Sequence, residues 1–270
     1  MNAPATATPE KEPFSWGREI RQWIWLILIV LGIHSFIAKP FYIPSESMMA
    51  NLLVGDRLIV SKFPYGFSYL SPSLPVLPKI EGRLFGSMPE RGDIIVVKSP
   101  SDGADWIKRV IGLPGDMVAV RNGQLYLNGV AVPRQPASDT MVPVTPNTGC
   151  PMLSMVVADA AGQPLCRYPT WRETLPNGRS FDTLDIATTE LDDFPERRVP
   201  EHHLFLMGDN RDNSKDSRVP AELGGLGFVP YENIVGRAEF TTFSLDGTQT
   251  LNPLTWPGAL RGDRAFNSLR

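Results

Sequence analysis

Residues 22–38 read QWIWLILIVLGIHSFIA and contain no permanently charged side chain. Arg21 and Lys39 bracket this apolar run. As a helix it would be roughly 25 Å long at 1.5 Å per residue, the short end of a membrane span. Trp16, Trp23 and Trp25 lie at one end of the run and Phe36, Phe41 and Tyr42 at the other, as is typical of membrane-interface anchors. The run therefore predicts a transmembrane helix, which Pro40 is expected to stop.

Two other interpretations compete for the apolar run. A buried helix of a soluble protein that is apolar on every side needs a large core around it. A cleavable signal peptide needs small residues before the cut, and although Ala38 fits, the bulky Phe36 does not. We therefore expect an uncleaved anchor. Positive charges flank it on both sides, so they do not by themselves set its orientation.

The composition of the chain excludes some classes of protein and favours a fold of short strands. The 270 residues carry a formal net charge of −3, so there is no strong basic field to attract nucleic acid. The 26 prolines cannot be spread through helix interiors and favour short strands with many turns. Two cysteines and three histidines do not make a zinc site. Cys150 and Cys166 form one disulfide if their domain lies outside the cytoplasm, and otherwise remain two thiols.

Strand signals dominate after the anchor. Short apolar segments at residues 57–63, 93–98, 203–207 and 234–243 predict strands, and Asn-Gly pairs within residues 117–132 predict hairpins. We expect a mainly β fold of mixed antiparallel sheets behind the transmembrane helix. The predicted organisation is a cytoplasmic tail at 1–21 (disordered over 1–13), the anchor at 22–38, a first part of the catalytic core at 39–134, an inserted subdomain at 135–200, a second core part at 201–245, and a C-terminal extension at 246–270.

An apolar segment interrupted by prolines follows the first predicted strand. Residues 64–86 either cover the core or form an exposed apolar lip that touches the bilayer surface.

The residues themselves offer few sources of nucleophilic catalysis. A serine needs a base, and the two histidines outside the anchor, His202 and His203, are neighbours at the start of a predicted strand, where they would point to opposite faces. Neither a Gly-x-Ser-x-Gly nor a Ser-x-x-Lys motif occurs. A lysine can replace histidine if burial keeps it neutral, and Lys108 has the apolar neighbours Trp106 and Ile107.

Three segments together resemble one enzyme family. They are Pro44-Ser45-Glu46-Ser47-Met48, Asp105-Trp106-Ile107-Lys108-Arg109, and the run from Gly208 to Arg218, GDNRDNSKDSR. In this order they resemble the type I signal peptidases, the membrane-bound serine endopeptidases that remove signal peptides from exported proteins. The resemblance covers well under half of the chain.

The resemblance implies a role for each matching residue. Ser47 matches the nucleophile and Lys108 the general base. Ser45 matches the hydroxyl that helps hold the oxyanion with the Ser47 amide, and Ser214 matches the serine that orients the lysine. Three charged residues match groups that support the shape of the site: Asp216, Arg218 and Arg109.

The resemblance also implies the substrate, partners and location. The substrate is a preprotein cut after an Ala-x-Ala type site, and no metal or organic cofactor is needed. The other partners are the lipid bilayer and the secretion translocon, with no nucleic acid. The protein lies in the bacterial inner membrane as a single-pass protein with its catalytic domain on the periplasmic or extracytoplasmic side.

Departures from the family pattern leave local features open. Ala50-Asn51 stands where the family has Pro-Thr, and an extra loop at 219–226 follows the third segment. A soluble self-cleaving repressor or a plasmid maturation enzyme would also use a Ser-Lys pair, but the anchor and the third segment favour the signal peptidases. A binding module that has lost activity is disfavoured because Ser47, Lys108 and Ser214 are all present.

Overall fold

A computed structural model describes residues 15–74 and 77–270. The expected disorder of residues 1–13 lies outside the described residues. Within them the chain forms one long N-terminal helix followed by short antiparallel strands. This confirms the predicted mainly β fold behind one apolar helix.

The apolar run forms a single helix that has almost no protein packed around it. α1 (Trp16–Gly32) continues as a π-helical turn over Ile33–Ile37, and 22 helical residues result. At 1.5 Å per residue they extend about 33 Å, enough for a bilayer core of about 30 Å. The helix ends at Ile37, before Pro40, and the chain is extended from Ala38 onward. Pro40 lies in an edge strand, where its missing N–H leaves no ladder bond unmade.

The strands are short, as the proline content predicts. In chain order they are β1 (Ala38–Tyr42), β2 (Asp56–Ser61), β3 (Ile94–Lys98), β4 (Asp105–Gly112), β5 (Met117–Arg121), β6 (Gln124–Leu127), β7 (Val130–Ala131), β8 (Arg134–Pro136), β9 (Thr140–Pro143), β10 (Val156–Ala158), β11 (Pro164–Tyr168), β12 (Thr170–Thr174), β13 (Ser180–Leu184), β14 (Phe194–Arg198), β15 (His203–Met207), β16 (Val229–Pro230) and β17 (Ile234–Ser244).

The largest sheet carries the central part of the molecule. Its seven strands run in the order β1-β2-β17-β3-β4-β15-β16, with antiparallel pairing throughout. β3 lies between β17 and β4 and is buried over Ile94–Val97, which explains its continuous apolar sequence. The strands predicted at residues 57–63, 93–98, 203–207 and 234–243 are thereby confirmed.

Two asparagine-glycine pairs make the predicted hairpin turns. Asn122 and Gly123 connect β5 to β6, and Asn128 and Gly129 connect β6 to β7, all four with positive φ. Positive φ at both central residues is what a two-residue hairpin turn of the type I′ class requires. These strands form a second sheet in the order β14-β5-β6-β7.

Residues 135–200 also form sheet structure. Two three-stranded sheets, β10-β11-β9 and β13-β12-β8, are built largely from this stretch, and β14 leaves it to pair with β5. Cys150 and Cys166 are joined by a disulfide across 16 residues, with Cys166 in β11.

The segment 64–86 has a buried start and an exposed end. Tyr65 and Ser71 are buried, whereas Leu84 and Phe85 are 70% and 91% exposed. Ser35 of the anchor helix bonds to Ser73 of this segment. The exposed apolar end therefore belongs to a segment that contacts the helix where it meets the β domain.

The C-terminal residues 246–270 fold back onto the large sheet. Thr241 of β17 accepts and donates hydrogen bonds with the backbone around Asn267, and Leu269 packs beside the core. Arg264 pairs with the buried Asp56 at 2.6 Å. This extension stabilises the β2–β17 side of the domain.

Candidate active site

Ser47 lies in a turn just beyond β1. The next residue, Met48, is fully buried in the same apolar cluster as Ile43 and Leu52. This packing anchors the turn on both sides of the serine, and Ser47 itself is only 8% exposed. A hydroxyl held in this way has little freedom to leave its position.

The side chain of Lys108 contacts Ser47 from a distant part of the chain. It lies in β4, is 4% exposed, and its Nζ is 2.7 Å from Ser47 Oγ. The ammonium also donates to the carbonyl of Ile107 at 2.9 Å. When Lys108 is neutral, the same short distance lets its lone pair accept the hydroxyl proton of Ser47.

The surroundings favour the neutral amine. Burial lowers the pKa of Lys108 to about 8, while the carboxylates of Asp216 and Asp209 act in the opposite direction and Arg218 lowers it further. The reference pKa of lysine is near 10.4. Desolvation therefore brings this side chain into the range in which it can act as a base near neutral pH.

The two other serines of the predicted site are close to Ser47 but differ in their bonding. Ser45 is exposed, and its Oγ lies 3.4 Å from Ser47 Oγ. Ser214 is buried, and its Oγ has no hydrogen-bond partner among the described residues, so the expected bond to Lys108 is not formed. A Cβ at Gly208 would collide with Ser214 Oγ and with the Ser47 carbonyl, which places all three residues together.

The predicted supporting residues form two buried ion pairs. Arg218 bonds to Asp216 through two nitrogens at 2.9 and 2.8 Å. Burial would raise the pKa of Asp216, but the charge and hydrogen bonds of Arg218 outweigh it and hold that pKa below its usual value. Arg109 bonds to both carboxylate oxygens of Asp209 at 2.7 Å. Both pairs keep negative charge close to the lysine without bonding to it.

Two supporting residues were missed by the sequence analysis. Asp209 holds Arg109 and also accepts a bond from Asn51 at 2.8 Å. The backbone N–H of Asn210 donates to the Ser47 carbonyl at 3.1 Å, so the third segment is bonded directly to the nucleophile turn. The dense polar sequence around Asp209 and Asn210 was the available signal, but it does not say which partners each residue takes.

A cleft of about 460 Å³ opens over the serine and the lysine. Its apolar lining comes from the end of β1, the residues just after it and the start of β4, and includes Phe41, Ile43, Pro44, Trp106 and Ile107. Asn213 and Lys215 of the third segment also line it. The cleft can therefore take an extended chain with small apolar side chains.

Other sequence candidates lie outside this cleft. His202 has a positive φ and immediately precedes β15, which begins at His203 as predicted, so only His203 lies in the strand itself. The described residues that line the cleft include neither histidine and none of the loop 219–226. The histidines are thus not placed to serve Ser47.

One group of carboxylates has the spacing of metal ligands. Oxygens of Asp185, Asp192 and Asp212 lie within 4.8 Å of one another. Arg134 already pairs with Asp185 at 2.5 Å, and Asp212 accepts two backbone N–H groups. These partners satisfy much of the charge of the group, and none of the three residues lines the cleft.

Comparison with known proteins identifies the family. The family model described as "Signal peptidase, peptidase S26" matches residues 16–243. A signal peptidase I of Rickettsia typhi is 35% identical over 271 residues, covering 93% of each chain. A signal peptidase I of Rickettsia massiliae is 33% identical over 273 residues, covering 94% of this chain and 92% of the relative.

A solved structure is also similar in sequence. A signal peptidase I from Enterococcus faecalis is 27% identical and covers 56% of this chain and 97% of its own, with a TM-score of 0.30.

Proposed function

This chain belongs to the signal peptidase family, peptidase S26, and we propose that its catalytic dyad is Ser47 and Lys108. It is a membrane-anchored serine endopeptidase that cleaves signal peptides. The observation that carries the dyad is the 2.7 Å distance between two buried side chains, Lys108 Nζ and Ser47 Oγ.

The proposed reaction follows from this contact. Neutral Lys108 takes the hydroxyl proton as Ser47 Oγ attacks the scissile carbonyl carbon. The resulting oxyanion is held by the backbone N–H of Ser47 and the Ser45 hydroxyl. The Lys108 ammonium then protonates the leaving amine, and the amide C–N bond breaks. Lys108 next takes a proton from water, whose oxygen attacks the carbonyl carbon of the acyl ester. The bond from that carbon to Ser47 Oγ then breaks as the Lys108 ammonium returns the proton to Oγ, and the free acid, the Ser47 hydroxyl and the neutral Lys108 amine result.

The cleft geometry supports a small-residue cleavage site. The first half of β4, residues 105–108, pairs with β3, and β15 pairs with β4 only from Arg109 onward. An extended substrate can add a strand to this open edge. Its side chains then meet the apolar walls formed by Ile43, Trp106 and Ile107. An Ala-x-Ala site suits such a cleft because methyl groups fill shallow pockets.

The anchor supports a location at the bacterial inner membrane. We place the catalytic domain on its periplasmic or extracytoplasmic side, where the scissile bond of an exported chain emerges. The disulfide between Cys150 and Cys166 agrees with an oxidising compartment. The lipid bilayer, contacted by the exposed apolar residues around Leu84 and Phe85, and the secretion translocon complete the proposed partners.

Cleavage of a model preprotein by the full chain in detergent tests this function. The product mass should locate a cut after Ala-x-Ala. Ser47→Ala and Lys108→Ala should each lower kcat/KM by at least about a thousandfold. Ser138→Ala and Lys79→Ala, at exposed positions outside the cleft, are the matched controls. A folded Ser47→Ala variant that still cuts would overturn the dyad and favour a binding module.

A further inference from the structure

Lys215 is a charged residue of the cleft that the proposed mechanism does not use. It lines the cleft and is exposed. Within residues 15–74 and 77–270 it makes no ion pair or hydrogen bond, in contrast to the other two charged lining residues: Lys108 bonds to Ser47, and Asp105 pairs with Lys98 at 2.8 Å. A free ammonium therefore faces the space that a bound chain would occupy.

The lining of the cleft comes from parts of the chain that differ in character. β1 and β4, with the residues just after β1, supply its apolar side chains, whereas Asn213 and Lys215 belong to the segment bonded to the nucleophile turn. Asn210 holds that segment in place with two hydrogen bonds, from its backbone N–H to the Ser47 carbonyl and from its side-chain amide to the Glu46 carbonyl. The side-chain amide of Asn213 adds a bond to the Glu46 carboxylate at 3.0 Å. Lys215 thus lines the cleft from the segment that is bonded to the turn carrying Ser47.

This arrangement indicates which part of a substrate passes Lys215. If the small residues before the scissile bond pack against the apolar lining, the residues after it lie against the polar lining, which includes Asn213 and Lys215. We infer that Lys215 is a specificity-determining residue that favours a carboxylate side chain among the first three residues of the mature protein. This inference rests on the proposed function, because it assigns a preference within the same cleavage reaction.

The expected preference is modest because Lys215 is exposed. One exposed ion pair changes a rate by about 1.5- to fivefold. An acidic substrate gains this factor by attraction and a basic one loses it by repulsion, so the acidic substrate should exceed the basic one by about two- to 25-fold in kcat/KM. The preference should shrink when salt is raised from about 0.05 M to about 0.5 M, because the charges are then screened over a few ångströms.

Matched preproteins test the inference. They differ only in Glu, Gln or Lys at the first, second or third position after the cut, and kcat/KM is measured for each with the wild type, Lys215→Gln and Lys215→Glu. The wild type should prefer Glu, Lys215→Gln should lose most of the preference, and Lys215→Glu should reverse it. Lys79→Gln, which removes an exposed lysine outside the cleft, should keep the wild-type order.

The outcomes separate this inference from the proposed function. If the wild type cuts every substrate at equal rates and Lys215→Glu produces no reversal at any position, the role of Lys215 is overturned while the peptidase assignment stands. If the folded wild type cuts none of them, the proposed function fails and the inference fails with it. Circular dichroism of each variant checks folding, and Lys215→Gln gives an independent measure if the charge reversal disturbs it.

Discussion

The pH dependence of cleavage is the sharpest consequence of the buried lysine. Because Lys108 must be neutral to act as a base, kcat/KM should follow its neutral fraction. With a pKa of about 8, that fraction is about a tenth at pH 7 and about a hundredth at pH 6. We therefore expect log kcat/KM to rise with unit slope up to about pH 8 and then level off.

A second buried lysine makes a control essential. Lys62 is 3% exposed, and its Nζ is 3.5 Å from the carbonyl of Ser71. Burial lowers its pKa to about 8 as well, with a smaller contribution from Lys39. A midpoint near pH 8 in the wild type alone would therefore not identify Lys108 as the titrating base.

Lys62→Met separates the two lysines. Methionine has a similar length and no charge, so the buried position stays filled. The assay is initial-rate cleavage from pH 5.5 to 9.5, on a substrate without titratable groups near the cut, with KM measured at each pH. We expect the midpoint to stay near 8 in Lys62→Met. A midpoint that disappears in this variant, or a wild-type profile that is flat, would refute the assignment of Lys108 as the base.

Three further predictions follow from the described contacts. Ser45→Ala should lower kcat by about tenfold to a thousandfold with little change in KM, because a donor to the oxyanion is lost. Steady-state cleavage rates measure both constants, and an unchanged kcat would exclude Ser45 from the site. Asp209→Asn should lower the free energy of unfolding, measured by urea denaturation, by about 3–5 kcal/mol because it leaves Arg109 buried without its carboxylate partner. It should also move the midpoint of the kcat/KM profile below pH 8, because Asp209 raises the pKa of Lys108. A midpoint that moves upward would contradict this. Replacing both Cys150 and Cys166 by serine should lower the free energy of unfolding by about 3 kcal/mol, from the 16-residue loop that they close; an unchanged denaturation midpoint would show that the disulfide adds nothing.

The sequence predicted those parts of the fold that local rules determine. Asn122-Gly123 and Asn128-Gly129 are turns because their backbone conformation is local, and the apolar run of β3 is a strand because burial dictates its composition. The ends of the anchor helix were less predictable. The helix begins at Trp16, before the apolar run, and ends at Ile37, where the chain passes into β1; hydropathy reports neither boundary.

The contacts that build the site depend on long-range partners. The polar sequence around Glu173 does not look like a buried strand, yet it forms β12. Glu173 can be buried there because it pairs with Arg211 at 2.6 Å. The bonds from Asp209 to Arg109 and Asn51 likewise join segments about 100 and 158 residues apart. A pattern within a short window cannot show these pairings. The ordered family segments could nominate Ser47 and Lys108, but the register of the sheet is what brings them to 2.7 Å.

The neighbouring basic residues of β4 show how one lysine can stay without a counterion. Successive side chains of a strand point to opposite faces, so Lys108 faces Ser47 while Arg109 faces Asp209. Arginine remains charged and binds both carboxylate oxygens of Asp209, and Arg218 does the same for Asp216. The carboxylates of Asp209 and Asp216 are thus both bonded to a guanidinium, and neither bonds to Lys108. Burial then dominates at Lys108, and its pKa falls into the range in which a base for Ser47 is available.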